Sequence, residues 1–198
     1  MSLPARWIRL DADAVNTLEV ACRGFARMRS QQCAPLCFWG RAPAPVRLAE
    51  RLWAEPGEFF FALLVPRHMA PRASRWLACG LSPVVAALRS FGEHAYLDGA
   101  DVVLHGHRVA GGSAQALEDC VAVYGTFPAD PPIEPPQSGE RGRLLEFDPW
   151  LAALNREGRA RQVLAAFRCA AEIQHGWQFD TDWPTSDERL AVLSEANR

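Results

Sequence analysis

The chain has 198 residues, 49% of them apolar, and a formal charge of −2. That length and apolar content predict one folded domain, residues 1–198, and exclude a disordered chain. The near-zero charge excludes a basic footprint for nucleic acid, and the longest apolar run, FFFALLV at 59–65, is too short to cross a bilayer.

Residues 6–10, RWIRL, read as a short strand leading to a helix from about Ala14 to Arg29. There Val15, Leu18, Cys22, Phe25 and Met28 recur at spacings of three and four. PLCFWGR (35–41) and PVRLAE (45–50) read as two strand pieces separated by APAP at 42–45, because proline does not fit a central ladder. GEFFFALLVP (57–66) is a continuous apolar strand bounded by Gly and Pro, expected to be buried on both faces. Residues 72–91 read as a helix with Leu81, Val84, Val85, Leu88 and Phe91 on one side. DVVLHG (101–106), RVAGGSAQ (108–115) and CVAVYGTF (120–127) follow as strands with short links, the pattern of an antiparallel meander.

Residues 128–142 form a Pro-rich loop, and 143–198 read as C-terminal helices. Asp148 is placed as an N-cap with Pro149 at the first helical position. RARQVLAAFRCAAEIQ carries Val163, Leu164, Phe167 and Ala171 on one stripe, and Thr185 to Glu188 form an S/T-x-x-E capping box before the last helix. The fold class is α+β: a mixed, largely antiparallel sheet with helices packed on it.

Six cysteines without a secretion signal do not read as a disulfide framework. Cys33 and Cys37 make a C-x3-C, but no second pair or histidine pair follows at zinc spacing, so buried thiols are expected. With no charged n-region and cleavage site at the start, the expected location is the cytoplasm, without membrane. All 21 basic residues are arginine. Any mechanism that needs a side-chain amine is therefore excluded.

Taken in order, these stretches resemble the catalytic domain of the lipoate–protein ligase, octanoyltransferase and biotin–protein ligase superfamily. WIRL and the first helix match its opening. PLCFWGRAPAPVRLA resembles P-x-L-R-F-W-x-x-x-P-x-x-x-x-G, and GEFFFALLVP resembles G-E-L-T-Y-S-V-V-x-P. DVVLHGHRVAGGSAQ resembles N-D-L-x-V-x-G-R-K-I-A-G-S-A-Q, CVAVYGTF resembles x-V-L-x-H-G-T-L, and residues 161–195 are similar to the closing helices of octanoyltransferase-type members.

The departures fall on the chemistry that the resemblance implies. The superfamily carries R-R-x-S/T-G-G-G-A before its GEL-type strand, a loop whose backbone N–H groups hold the acyl or biotinyl group and the adenylate phosphate. This chain has only ERLWAEP, 50–56, in that interval. The superfamily lysine that polarises the carbonyl is replaced by Arg108, the Asn of its N-D pair by Ala100, and the His of its His-Gly by Tyr124 before Gly125. Asp101, Gly111, Gly112, Ser113, Ala114 and Gln115 are retained.

On this reading Arg108 grips a phosphate or carboxylate by two points but does not titrate as an amine. Asp101, Gly111, Gly112, Ser113 and Gln115 are the candidate ligand-binding residues, with positive φ available at Gly111 and Gly112 if GGSAQ forms a turn, as against a plain glycine-bearing β-connection. Cys120 is the candidate nucleophile, against the alternative of a core strand cysteine. His105 and His107 share strand parity but lack a third metal ligand, so no metal is expected. Trp53, Trp177 and Trp183 are candidate interface anchors.

Two functions follow. The first is a non-adenylating pseudoenzyme that needs no cofactor and binds a carrier protein, a second copy of itself, or an acyl or anionic ligand in a groove beside GGSAQ. The second is catalytic: ATP-independent acyl transfer to a carrier at a pocket bounded by Arg108, Ser113 and Cys120, or a ligase with an altered site.

Overall fold

The structure, a computed structural model, describes residues 2–10, 18–28, 34–129 and 149–196. Its elements in chain order are β1 (Leu3–Arg9), α1 (Leu18–Met28), β2 (Leu36–Arg41), β3 (Val46–Ala49), β4 (Leu52–Ala54), β5 (Phe59–Pro66), α2 (Trp76–Arg89), β6 (Tyr96–Asp98), β7 (Asp101–Leu104), β8 (His107–Leu117), β9 (Cys120–Phe127), α3 (Pro149–His175), β10 (Trp177–Asp182) and α4 (Ser186–Ala196). Eight strands form one sheet in the order β10-β1-β2-β5-β9-β8-β7-β6. β1 runs parallel to both β10 and β2, and the ladders from β2 to β6 are antiparallel.

All eight residues of β5 are buried, as its uninterrupted apolar run predicts. Phe59, Phe61, Leu63 and Val65 enter the core beneath α2 and α3, while Phe60, Ala62 and Leu64 enter a second core beneath α1. The two prolines at 43 and 45 end β2 and keep β3 out of the large sheet. β3 instead pairs with β4 in a hairpin that packs against α1, β8 and β9. The meander is present, with two additions at its start and its turns. β6 precedes β7, and the β7–β8 link is a two-residue turn with His105 at φ 51° and Gly106 at φ 79°, the signature of a type I′ hairpin.

Two further expectations are corrected. The segment 143–198 is not helical throughout: Trp177–Asp182 is a strand that takes the outer edge beside β1. Its sequence, WQFDTD, alternates buried and exposed side chains over only four residues before turning polar, so it carries little periodic signal. α3 runs unbroken through Gly158 where two helical pieces are legible in the sequence. Pro149 is its first residue as expected, and Asp148 and most of the Pro-rich loop lie outside the described residues.

The two ends of the chain are tied by one cluster. Arg6 on β1 donates from Nε to Asp182 Oδ2 at 2.5 Å, from Nη1 to Glu188 Oε1 at 2.5 Å, and from Nη2 to the Trp183 carbonyl at 3.1 Å. Glu188 also closes the capping box of α4: its Oε2 accepts from the Thr185 N–H at 2.8 Å, and its own N–H donates to Thr185 Oγ1 at 3.2 Å. The Trp183 N–H and Arg6 hold the Asp182 carboxyl below its ordinary range. Arg6→Gln is expected to lower stability by about 1–3 kcal/mol, because the nearly buried Glu188 carboxylate keeps its place without its cation. A carboxyl depressed in the folded state stabilises above its unfolded pKa, and that contribution fades as pH falls through the folded value. Thermal melts from about pH 5 down to about pH 3 are therefore expected to fall less steeply in Asp182→Asn than in wild type.

Candidate active site

The residues of the GGSAQ stretch lie within β8, in extended conformation, not in a turn. Neither Gly111 nor Gly112 has positive φ, so of the two conformations left open by the sequence the stretch adopts the β one and not the turn. Their role is space. A Cβ on Gly112 would come within 2.9 Å of Leu81 Cδ1 in the core under α2. A Cβ on Gly111, on the opposite face, would stand 2.2 Å from Arg108 Nη2. The Arg108 guanidinium thus lies flat across Gly111, and it donates from Nε to Asp101 Oδ1 at 2.8 Å. Burial pushes the Glu58 carboxyl up, and the charge of Arg108 acts in the opposite sense.

Gly111 donates its N–H to Thr126 Oγ1 at 3.2 Å, and Gly112 donates to the Ala100 carbonyl at 2.8 Å. Farther along the same face, Gln115 Nε2 donates to the Tyr124 hydroxyl at 2.7 Å. Tyr124 is fully buried, and burial pushes its phenol and the neighbouring Cys22 thiol far up. The β3–β4 hairpin roofs this part of the sheet. Leu48, Leu52 and Ala54 face inward with 0%, 4% and 0% exposure, while Trp53 stands half exposed on the outside. The open groove expected beside GGSAQ is therefore covered over β9, and Asp101, Ser113 and Gln115 remain at the rim half-buried, with Arg108 exposed.

Arg108 and Cys120 are not brought together. Cys120 is 3% exposed in the core against α1, six residues along β9 from Thr126, which is about 20 Å of extended strand. His105 sits in the turn and pairs with Glu93 at 2.8 Å, so the two histidines are not adjacent ligands on one strand. No group of three or more His, Cys, Asp or Glu able to hold a metal occurs among the described residues. Trp177 is a core residue against Phe179 and His175, and Trp183 is exposed. Glu58 carries no sequence signal of its own, because its place near Arg108 depends on β8, about fifty residues later in the chain, and the Gln115–Tyr124 bond carries none because it depends on the register of the β8–β9 pair.

No protein-family profile and no curated protein matches the chain. Solved structures do. A T. acidophilum protein described as a lipoate protein ligase, with lipoic acid bound, aligns over 100% of this chain and 95% of its own at TM-score 0.68 and 10% identity. A bi-partite lipoate protein ligase from Thermoplasma acidophilum, solved in a study that includes its E2 lipoyl domain, aligns over 99% and 93% at TM-score 0.65 and 13% identity. The biotin protein ligase of Leishmania major in complex with biotinyl-5-AMP aligns over 98% and 80% at TM-score 0.51 and 13% identity. The chain has the catalytic-domain fold of the lipoate- and biotin-protein ligases.

The roof over Tyr124 is open to a spectroscopic check. In a Tyr96→Phe background Tyr124 is the one remaining tyrosine. Its phenolate absorbance is expected to appear only together with alkaline unfolding. Adding Leu52→Asp, which places a charge under the hairpin, is expected to bring that absorbance in before the unfolding transition.

Proposed function

We propose that this chain is a ligase-fold protein that binds without adenylating. The observation that carries the reading is the hairpin: where the superfamily's resemblance calls for a glycine loop around an acyl-adenylate, β3–β4 lays Leu48, Leu52 and Ala54 onto the sheet over a buried Tyr124. The interval 50–56 carries no glycine, and Arg108, which the resemblance puts in the place of the superfamily lysine, is already engaged by Asp101. An arginine in that setting binds an anion as a fixed charge and does not exchange protons during a reaction.

The rim supplies the binding surface. Arg108, Asp101, Ser113 and Gln115 border the hairpin, whose outer face presents Arg47 and Trp53. The partner favoured is a carrier domain of the lipoyl type, since a lipoyl domain belongs to the system of the bi-partite ligase of the same fold. Arg108 would then face a carboxylate on that domain, exchanging part of its pairing with Asp101 for the partner's charge. The acyl-transfer reading draws less support, because its thiol, Cys120, is buried in the core about 20 Å along β9 from Thr126, which bonds Gly111 beside Arg108.

The experiment is titration of the purified chain with an unlipoylated lipoyl domain, followed by calorimetry and by light scattering. Binding is expected in wild type, retained in Arg108→Lys, and weakened about tenfold or more in Arg108→Glu and Trp53→Ala. A monodisperse monomer with no measurable heat of binding would overturn the reading.

A further inference from the structure

One short pattern ends two neighbouring strands. WIR closes β1 and WGR closes β2, and in each an arginine follows a tryptophan by two residues. Residues two apart on a strand share a face. Trp7 and Arg9 therefore lie on one face of β1. Trp39 and Arg41 lie on the same face of β2, because Arg9 and Trp39 are register partners in the parallel β1–β2 ladder. It is the face under α3, where Trp7 meets Phe167 and Trp39 packs against the core. The parallel direction of the two strands brings both arginines to one end of the sheet.

There α3 adds a third cation. Arg161 and Leu164, one turn apart, line a cavity of about 350 Å³ together with Arg9, Arg41, Trp39 and Phe59. Phe59 joins them because it pairs with Arg41 in the β2–β5 ladder. Trp39 and Phe59 meet edge to face with ring centroids 6.4 Å apart, and Arg9 Cζ lies 5.7 Å from the Trp39 ring centroid. Arg41 donates from Nε to the Gly57 carbonyl at 3.1 Å. All three arginines are engaged within the chain. A guanidinium carries more N–H donors than one such bond uses, so engagement at one edge fixes the group and leaves donors at another. Among the described residues that line the cavity, every charged side chain is an arginine.

We propose that this cavity binds a phosphate monoester on an apolar body. The phosphate lies among Arg9, Arg41 and Arg161, and the body lies against Trp39, Phe59 and Leu164. Cations gathered around one cavity repel one another, and a single negative charge offsets only part of that. A phosphate monoester carries about −1.5 to −2 charges at pH 7 and presents its oxygens in several directions, so more than one guanidinium grips it at once. A carboxylate offers one edge, which a single guanidinium fork occupies. Inorganic phosphate satisfies the arginines but leaves the apolar wall in water, so the attached group adds affinity. The cavity lies on the α3 face, while Leu48, Leu52 and Tyr124 fill the core on the other, so the inference does not rest on the carrier-binding reading.

The test is calorimetric titration of the full chain with phenyl phosphate, inorganic phosphate, benzoate and benzyl alcohol, in low salt near neutral pH. One phenyl phosphate per chain is expected, bound about tenfold or more tightly than inorganic phosphate or benzoate, with no heat from benzyl alcohol. Raising the salt from about 20 to about 200 mM is expected to weaken it severalfold. Arg161 is exposed on its helix, so Arg161→Glu is expected to keep the wild-type circular dichroism and to weaken phenyl phosphate about tenfold or more. Arg41→Gln is expected to weaken it in the same direction. Arg75→Glu makes the same change of charge at an exposed residue outside the cavity and is expected to leave binding as it is. The assigned indole N–H resonance of Trp39 is expected to shift with phenyl phosphate and not with benzyl alcohol. Equal affinity for phenyl and inorganic phosphate, equal losses in Arg161→Glu and Arg75→Glu, or a Trp39 resonance that does not move would overturn the proposal. None of these results bears on Arg108 and the carrier domain, which have their own titration.

Discussion

Strand β5 has no side that meets water, and the rest of the molecule is arranged to keep it so. Its odd-numbered residues require a layer on one face, which α2 and α3 provide, and its even-numbered residues require a layer on the other. α1 covers part of that second face and α4 packs behind it, where Gly24 allows the Val192 backbone to approach. α1 also reaches β8, where Glu19 Oε1 accepts from Gln115 Nε2 at 3.5 Å. The β3–β4 hairpin covers more of β8 and β9, so a segment that resemblance assigns to ligand chemistry is committed here to burial of Leu48, Leu52, Ala54 and Tyr124.

That commitment sets the chemistry of the face. With Tyr124 buried and bonded by Gln115, and with Arg108 laid over Gly111 onto Asp101, the polar groups are satisfied by one another. In the binding role proposed for it, such a site would recognise charge and shape at its edge. The opposite face differs in kind: α2 runs unbroken through Pro83, which supplies no N–H to the Cys79 carbonyl, and His175 Nε2 is buried with no partner among the described residues.

Elements with a strong local cause were legible in the sequence. The apolar run of β5, the prolines that end β2, the Thr185–Glu188 capping box and the short links of the meander each state their structure within a few residues. β10 was not legible, because a six-residue strand with four polar side chains is stabilised by pairing with β1, about 170 residues earlier in the chain. The candidate site was legible as a set of residues but not as a geometry. Asp101, Arg108 and Gly111 do meet, whereas Cys120 and His105 lie elsewhere, because strand length and turn type decide which side chains of adjacent strands converge. Whether the glycines of GGSAQ served a turn or a strand was open in the sequence, and their spatial role was not legible because it depends on what lies opposite them.

The central claim is that this ligase fold holds no acyl-adenylate. ATP–pyrophosphate exchange measures that directly, run with lipoate, octanoate and biotin in turn and with magnesium present. The account predicts exchange no greater than a protein-free blank for all three acids. Clear exchange with any one of them would contradict it, and would mean that the hairpin over Tyr124 opens to admit nucleotide and acid.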